Sequence, residues 1–226
     1  MRVLRGAFIA SALVVGGAQA ADLGKPPVVK TSIAEPLPKW FFHLGPGGIF
    51  LSESAKIRSP LGPVAGSDVS IDPQASAIFE LGYFVTPEIG VSFTGGLPPL
   101  IKIQGAGTIA GLGTLGKAVY GPTALTVQYH FRNFGSFQPY IGAGLSYMHI
   151  FSTKDGALTN LKINHTIGPA LQVGADFMIN EKWGAFVDVK KAFLRTKATG
   201  MLGATPIRAW TTVDPLVVHS GITYRF

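Results

Sequence analysis

Apolar and polar residues alternate along residues 216–226. Every second position forms an apolar face that holds one small polar member: Leu216, Val218, Ser220, Ile222, Tyr224 and Phe226. The positions between them form a mostly polar face: Val217, His219, Gly221, Thr223 and Arg225. Because side chains alternate across a strand, this pattern is typical of a membrane-spanning barrel strand, apolar toward lipid and polar toward the lumen. For this strand alone, a half-buried strand of a soluble protein explains the pattern equally well.

Similar segments recur along the chain, separated by Gly, Pro and Asn. The predicted strands cover about 39–53, 71–85, 88–103, 117–132, 137–152, 161–179, 183–197 and 209–226. Short turns alternate with longer connections at 54–70, 104–116, 153–160 and 198–208. Short periplasmic turns and longer external loops are the asymmetry of outer-membrane barrels. We therefore predict an all-β fold, an eight-stranded antiparallel transmembrane β-barrel with both ends on the periplasmic side; seven or nine strands are the alternatives.

The start of the chain predicts export. Arg2 and Arg5 precede an apolar run over 6–17, and Ala18-Gln19-Ala20 matches a small-residue cleavage site. These are the parts of a secretory signal peptide. We expect a signal peptide over 1–20, a flexible Pro-rich periplasmic lead over 21–38 and the barrel over 39–226.

Composition supports a membrane destination. The mean hydropathy is +0.34 and 47% of residues are hydrophobic, yet after the signal peptide no apolar run reaches the roughly 18 residues of a spanning helix. The chain has no Cys, which excludes disulfides and thiolate metal sites. Its formal charge of +7 falls to +5 once Arg2 and Arg5 are removed. The basic residues are scattered, so we expect no nucleic-acid partner and instead contact with lipopolysaccharide.

Motifs distributed over 39–226 resemble the outer membrane protein W family. They are Glu88-Ile89-Gly90-Val91, Leu97-Pro98, Gly121-Pro122-Thr123, Gln138-Pro139-Tyr140-Ile141-Gly142-Ala143-Gly144, Gln172-Val173-Gly174-Ala175-Asp176, Ile179-Asn180, Asp214-Pro215 and Gly221-Ile222-Thr223-Tyr224-Arg225-Phe226. The resemblance implies a narrow eight-stranded barrel of the Gram-negative outer membrane, with a hydrophobic inner cavity through which small apolar molecules move. A terminal Phe226 also resembles the signal recognised by the barrel-assembly machinery.

The turns assign a direction to each strand and so sort the inward-facing residues by depth. On the periplasmic half the predicted inward set is polar: His43, Glu80, Ser92, Gln128, His130, Arg132, Gln172, Asp176, Asp188, Lys190, His219 and Arg225. On the outer half it is mainly apolar: Ile49, Leu51, Thr94, Tyr120, Met148, Ile150, Leu194, Val213 and Val217. We call the first set the polar plug, in which buried charges must be paired, and the second the apolar cup. The cup either holds one small apolar molecule or is simply filled by its own side chains.

Two features depart from the family. The family's lumen constriction is attributed to a Leu and a Trp, and the matching positions here are Thr94 and Ile167. Ile167 faces outward unless Pro169 marks a bulge that reverses the register. A gate built from Met148, Tyr120 and Leu194 is the alternative. The third external loop is also short, so any cap that it usually provides is in doubt.

Other functions find weaker support. His149 and His165 are expected to lie close together on the outer surface, which allows a lipid A-modifying enzyme, but Phe151 and Ser152 supply no aligned nucleophile and Asp155 is the one nearby acid. Interfacial packing is the simpler role for both imidazoles. We expect no cofactor and no metal site, since the five His are dispersed. A purely structural outer-membrane protein is a further alternative, and the oligomeric state is left open.

Overall fold

The computed structural model describes residues 38–226, and it is built almost entirely of strands. They are β1 Trp40–Phe50, β2 Ser54–Ser59, β3 Gly62–Pro63, β4 Ser67–Ile71, β5 Gln74–Phe84, β6 Ile89–Gly96, β7 Leu100–Gly107, β8 Thr114–His130, β9 Phe137–Asp155, β10 Thr159–Ile163, β11 Thr166–Met178, β12 Trp183–Ala192, β13 Arg195–Leu202, β14 Thr205–Thr212 and β15 Leu216–Arg225. Two 3-10 turns lie at Ala110–Leu112 and Arg132–Phe134. No helix within residues 38–226 has the length and hydropathy needed to cross a membrane. The predicted signal peptide, and the lead apart from Pro38, lie outside the described residues.

Eight segments form a closed antiparallel ring, which confirms the predicted fold. The order around the ring is β1, β5, β6, β8, β9, β11, β12 and β15. The last pair closes it: the Trp40 amide donates to the Phe226 carbonyl at 2.9 Å, and the Phe226 amide donates to the Trp40 carbonyl at 3.0 Å. Closure leaves no free sheet edge in the membrane, where unpaired backbone groups are costly. Recognition of Phe226 by the assembly machinery stays a prediction.

The ring carries a strand-built extension on its extracellular side, where we predicted loops. β2, β3, β10, β13 and β14 form a second sheet, and β4 and β7 extend the first sheet beside β8. The predicted longer connections over 54–70, 104–116, 153–160 and 198–208 are present, but they contain strands that we did not predict. The reason is visible in β2, where Ala55 and Ile57 are buried while Lys56 and Arg58 are exposed. The alternation of buried and exposed side chains continues beyond the membrane. The strands of these hairpins therefore remain hydrogen-bonded to their neighbours.

The outer wall of the ring is apolar over the height of a bilayer core. Its apolar residues that are more than half exposed include Leu125, Val127, Ile141, Leu145, Ile167, Leu171, Val173 and Ile222. From Leu216 to Phe226 is about ten residue steps, which at about 3.4 Å per residue and a tilt of about 40° spans about 25 Å. That height equals the apolar band of an outer-membrane barrel.

Candidate functional site

The periplasmic half of the lumen is filled by buried polar side chains. Lys190 pairs with Glu80 and with Asp188, the latter at 2.7 Å. Arg225 pairs with Asp176 at 2.7 Å. These pairs join acids and bases that we predicted would neutralise one another, and period-two alternation brings them together from four different strands. Arg132 differs: it lies half-buried in a 3-10 turn, with its guanidinium 4.4 Å above the ring of Phe84 rather than beside a carboxylate.

Neutral donors complete the polar plug. The Gln172 amide donates to both Glu80, at 3.2 Å, and Asp188, at 2.6 Å. The Tyr140 hydroxyl donates to Asp188 at 2.8 Å. Gln128 donates to Glu80, and His130 is 2.9 Å from the Gln128 amide oxygen. Hydrogen bonds that join side chains from several strands in this way make the network rigid.

Aromatic rings seal the bottom of the plug. The His43 imidazole is 3.1 Å from an Asp176 oxygen and stacks on Phe186 with ring centroids 4.3 Å apart. His219 is 3.4 Å from Asp188. Phe41 and Phe186, both on inward positions, were not in the predicted set because a polar lumen offers no reason to look for them. Their positions in β1 and β12, an even number of residues from His43 and Asp188, could have identified them as inward-facing.

The extracellular half of the lumen is apolar. Buried residues from β1, β8, β9, β11 and β12, from β4 and β7, and from the segments after β12 and β14 form one cluster: Ile49, Ile71, Ile101, Ala118, Tyr120, Met148, Ala170, Ala192, Leu194 and Val213. Leu51, Ile150 and Val217 pack against it and are partly buried. Eight of the nine residues predicted for the apolar cup therefore lie in or against this cluster. Ile71, Ile101 and the three alanines were missed. The alanines have the inward parity of their predicted neighbours, whereas Ile71 and Ile101 have the opposite parity to Glu80 and Thr94, the inward residues predicted for the same strands.

Thr94 belongs to the plug rather than to the cup. Its hydroxyl donates to Glu80 at 3.1 Å, so it continues the polar network upward. Ile167 points to lipid with 63% of its surface exposed. The pairing of β11 with β9 runs without a shift from Thr166 to Phe177, so Pro169 marks no bulge and the register is not reversed. Neither position forms a constriction, whereas Met148, Tyr120 and Leu194 meet in the apolar cluster.

The cup contains a cavity of about 80 Å³. Its lining extends from Met148 and Tyr120 into the extracellular extension, where Ile57, Leu161 and Ile207 complete it. Residues in the predicted loops were not considered as lining residues, so the cup is deeper than the sequence suggested. The Thr196 hydroxyl, also on the lining, donates to the Asn164 carbonyl at 2.6 Å and leaves the apolar character unchanged.

A second, smaller cavity of about 40 Å³ connects the lumen with the barrel wall. β6 pairs with β8 as far as Thr94 opposite Ala124, and pairing resumes only at Leu100 opposite Val119. Between them lie Leu97-Pro98-Pro99, whose prolines have no N–H to donate. The cavity is lined on the inside by Ala124 and reaches Leu97, which is 69% exposed on the lipid side. We call this break in the ladder the side gap.

His149 and His165 lie together on the outer surface, as we expected. Their rings stack with centroids 4.5 Å apart and an interplanar angle of 15°. The Ile150 amide donates to His165 Nδ1 at 3.0 Å, so that nitrogen is occupied by the backbone. Asp155 accepts hydrogen bonds from the backbone amides of Leu161 and Asn160, which lower the pKa of its exposed carboxyl. The geometry is that of interfacial packing, with the nearby acid holding a hairpin rather than orienting a base.

Among residues 38–226, one cluster has metal-ligand chemistry. Glu80, Asp188 and His219 place one ligand atom each within 4.8 Å of one another. The ammonium of Lys190 contacts both carboxylates and so occupies the position where a cation would bind. The cluster is therefore part of the plug.

A closed eight-stranded ring with a lipid-facing apolar wall and a filled lumen defines a small outer-membrane β-barrel. The model of the OmpW family matches residues 39–226, and the chain belongs to that family. Its place in the cell is accordingly the outer membrane.

Several known proteins are similar to this chain. PahQ of Pseudomonas aeruginosa, a dibenzothiophene metabolism operon protein, is 35% identical over 187 residues, which cover 83% of this chain and 88% of PahQ. The solid-state NMR structure of AlkL in DMPC bilayers has a TM-score of 0.69 at 32% identity and covers 84% of this chain and 90% of AlkL. The crystal structure of OprG from Pseudomonas aeruginosa has a TM-score of 0.78 at 23% identity, covering 84% and 96%; at that identity the likeness concerns the fold alone.

Proposed function

We propose that this protein takes up small apolar molecules, which enter the apolar cup from the cell exterior and leave through the side gap into the membrane. The observation that carries the proposal is the division of one lumen into an apolar half above and a charged half below, in which buried ion pairs hold the side chains together. A two-ring hydrocarbon burying about 200 Å² would gain on the order of 5 kcal/mol from leaving water, at about 25 cal/mol per Å².

The polar plug argues against an axial route. A solute passing straight through would have to separate Lys190 from Glu80 and Asp188, whose side chains are buried. Breaking a buried ion pair costs about 3–5 kcal/mol, and an apolar solute offers nothing to replace it. A route through the side gap does not require this separation. Lys190 and Thr94 border the cavity, but the way out of the barrel wall passes Ala124, Pro122 and Leu97.

The size of the cup indicates that uptake requires movement. An apolar cavity that holds benzene measures about 150 Å³, and the cup provides about 80 Å³. Met148 on its lining has an unbranched, adaptable side chain. We infer that side chains of the cup shift to admit a solute, so that the cup is nearly closed at rest.

The relatives support this class of solute. PahQ is named for an operon of dibenzothiophene metabolism, and dibenzothiophene is a flat apolar molecule. We propose apolar ring compounds of similar size as solutes of this chain.

The test is uptake of an apolar fluorescent probe, N-phenyl-1-naphthylamine, by cells that carry the protein in an intact outer membrane. Leu194→Lys and Met148→Lys place a charge in the cup and are expected to return the uptake rate to that of cells without the protein. Leu61→Lys is the matched control, since Leu61 lies 99% exposed in an extracellular hairpin, and it is expected to leave uptake unchanged.

Equal amounts of folded barrel are verified by heat-modifiable migration on gels. Uptake that persists in both cup variants would contradict the proposal, as would a large, unselective ion conductance in planar bilayers, which is the signature of an open pore.

A further inference from the structure

The extracellular extension carries a ring of outward-facing cations. They are Lys56, Arg58, Lys102, Lys117, Lys154, Lys162, Arg195, Lys197 and Arg208, all exposed except half-buried Lys117. Within residues 38–226, the ion pairs are confined to the lumen, and none of these nine side chains takes part in one. This surface therefore holds uncompensated positive charge.

The acids at the same level are occupied by other groups. The Asp68 carboxylate accepts the Ala55 amide at 2.8 Å. The Glu53 carboxylate accepts the Ile71 amide at 2.6 Å. Asp155 holds the hairpin described above. These carboxylates join strands where the ladders are interrupted and make no ion pair with the cations. They keep their negative charge, but they are fewer than the nine cations, so this surface is positive overall.

The cations also stand directly opposite one another on neighbouring strands. Lys102 on β7 pairs with Lys117 on β8, which pairs with Lys154 on β9. Like charges in directly opposed positions destabilise a sheet. An arrangement that is unfavourable for the isolated protein is explained if an anionic layer surrounds the extension.

The densest group of cations surrounds an exposed Trp. Lys197 on β13, Trp210 on β14 and Lys56 on β2 form one continuous cross-strand row. The Arg58 guanidinium lies 5.9 Å from the centre of the Trp210 ring. These four residues and Arg195 line one groove, which we call the basic groove.

The basic groove lies at the upper edge of the apolar wall. Arg195 comes two residues after Phe193, which is exposed on the lipid side. An aromatic face suits a sugar ring, and ammonium and guanidinium groups donate strong charge-assisted hydrogen bonds to phosphate. A ligand here would have its acyl chains against the wall and its sugar phosphate at the level of the cations.

We propose that the basic groove binds the phosphorylated glucosamine headgroup of lipopolysaccharide in the outer leaflet. Trp210 packs on the sugar, and Lys56, Lys197 and Arg58 bind the phosphate in place of the divalent cations that bridge such headgroups. The site is independent of the lumen and of the uptake proposed above.

The experiment measures binding of bisphosphorylated lipid A to the protein in nanodiscs, by native mass spectrometry in the presence of EDTA. Lys56→Gln with Lys197→Gln, and separately Trp210→Ala, are expected to weaken binding about tenfold or more. The matched control is Lys39→Gln with Lys182→Gln, which removes two exposed lysines from the periplasmic end. It is expected to leave lipid A binding unchanged. Heat-modifiable migration reports that each variant is folded.

Three further arms separate this ligand from its alternatives. Phosphatidylglycerol is expected to bind the wild type at least tenfold more weakly, and inorganic phosphate at 10 mM is expected not to displace lipid A. Dephosphorylated lipid A should lose the preference for wild type over the lysine variants. Equal weakening by the periplasmic control, equal binding of phosphatidylglycerol, or binding unaffected by Trp210→Ala and the lysine pair would each overturn the proposal.

Discussion

The polar plug makes Lys190→Met the most informative single substitution for stability. One buried ammonium serves two buried carboxylates, Glu80 and Asp188. Removing it leaves both acids next to each other without a cation. The loss of one partner from a buried ion pair costs about 3–5 kcal/mol. We expect a loss of about 3 kcal/mol in the free energy of unfolding, because Gln172 and Tyr140 continue to donate to the same carboxylates.

The neighbouring Lys191 provides a matched control. It is half-buried on the outer side of the same strand, and its ammonium donates to the Asp214 carbonyl at 2.6 Å. Lys191→Met is expected to cost less than about 1 kcal/mol. Adding Glu80→Gln to Lys190→Met removes one of the two stranded charges and should recover about half of the loss.

The assay is urea unfolding in phospholipid vesicles, followed by tryptophan fluorescence under conditions where unfolding and refolding curves coincide. Equal costs for Lys190→Met and Lys191→Met would show that the buried ion pairs of Lys190 do not stabilise the barrel. An additive rather than compensating effect of Glu80→Gln would also contradict the expectation.

Three further predictions concern the side gap, the packing of the plug and the extracellular hairpins. Ala124→Phe fills the smaller cavity and should slow apolar uptake severalfold. Binding in the cup, measured by probe fluorescence in nanodiscs, should be retained. Equal loss of uptake and binding would argue against lateral exit. Gly82→Ala places a Cβ against the ring of Phe41 and should cost about 2 kcal/mol in urea unfolding, with Phe41→Leu restoring part of it; no cost would show that the ring moves freely. The depressed pKa of Asp155 means that its hydrogen bonds stabilise the hairpin at neutral pH and are lost only as pH falls through that lowered value. Hydrogen exchange should therefore show equal protection of the Leu161 amide at pH 7 and pH 5, and loss of protection in Asp155→Ala; protection that fades by pH 5 would contradict this.

Much of the lumen was predictable because a barrel strand has a period of two. Once the turns assign a direction to each strand, the depth of an inward residue follows from its position, and so His43 and Lys190 could be placed in the lower half from sequence. The pairing of Lys190 with Glu80 required only that both lie at similar depth in a narrow ring. Apart from the pairing of the first strand with the last, which closes the ring, no contact between distant parts of the chain had to be predicted.

Several wrong assignments lie where we did not follow the two-residue alternation of side chains, or where the structure depends on more than one strand. The stretch containing Lys56 and Ile57 was assigned to a loop from its Gly, Ser and Thr content, although its alternation continues. The side gap depends on where the ladder of β8 changes partner from β6 to β7, which is a property of paired strands and not of one segment. Arg132 was assigned to the lumen by parity, but β8 ends at His130 and the chain has already turned.

The chain's few methionines allow the binding of apolar solutes to be located directly. The chain has four Met, and of those in the described residues Met148 lines the cup, Met178 ends β11 at the periplasmic side and Met201 lies in the extracellular extension. The decisive measurement is methyl NMR of ¹³C-methionine-labelled protein in nanodiscs, titrated with dibenzothiophene. If apolar solutes bind in the cup, we expect a saturable shift of the Met148 resonance, with Met178 and Met201 unchanged. A shift at Met178, or none at Met148, would contradict binding in the cup.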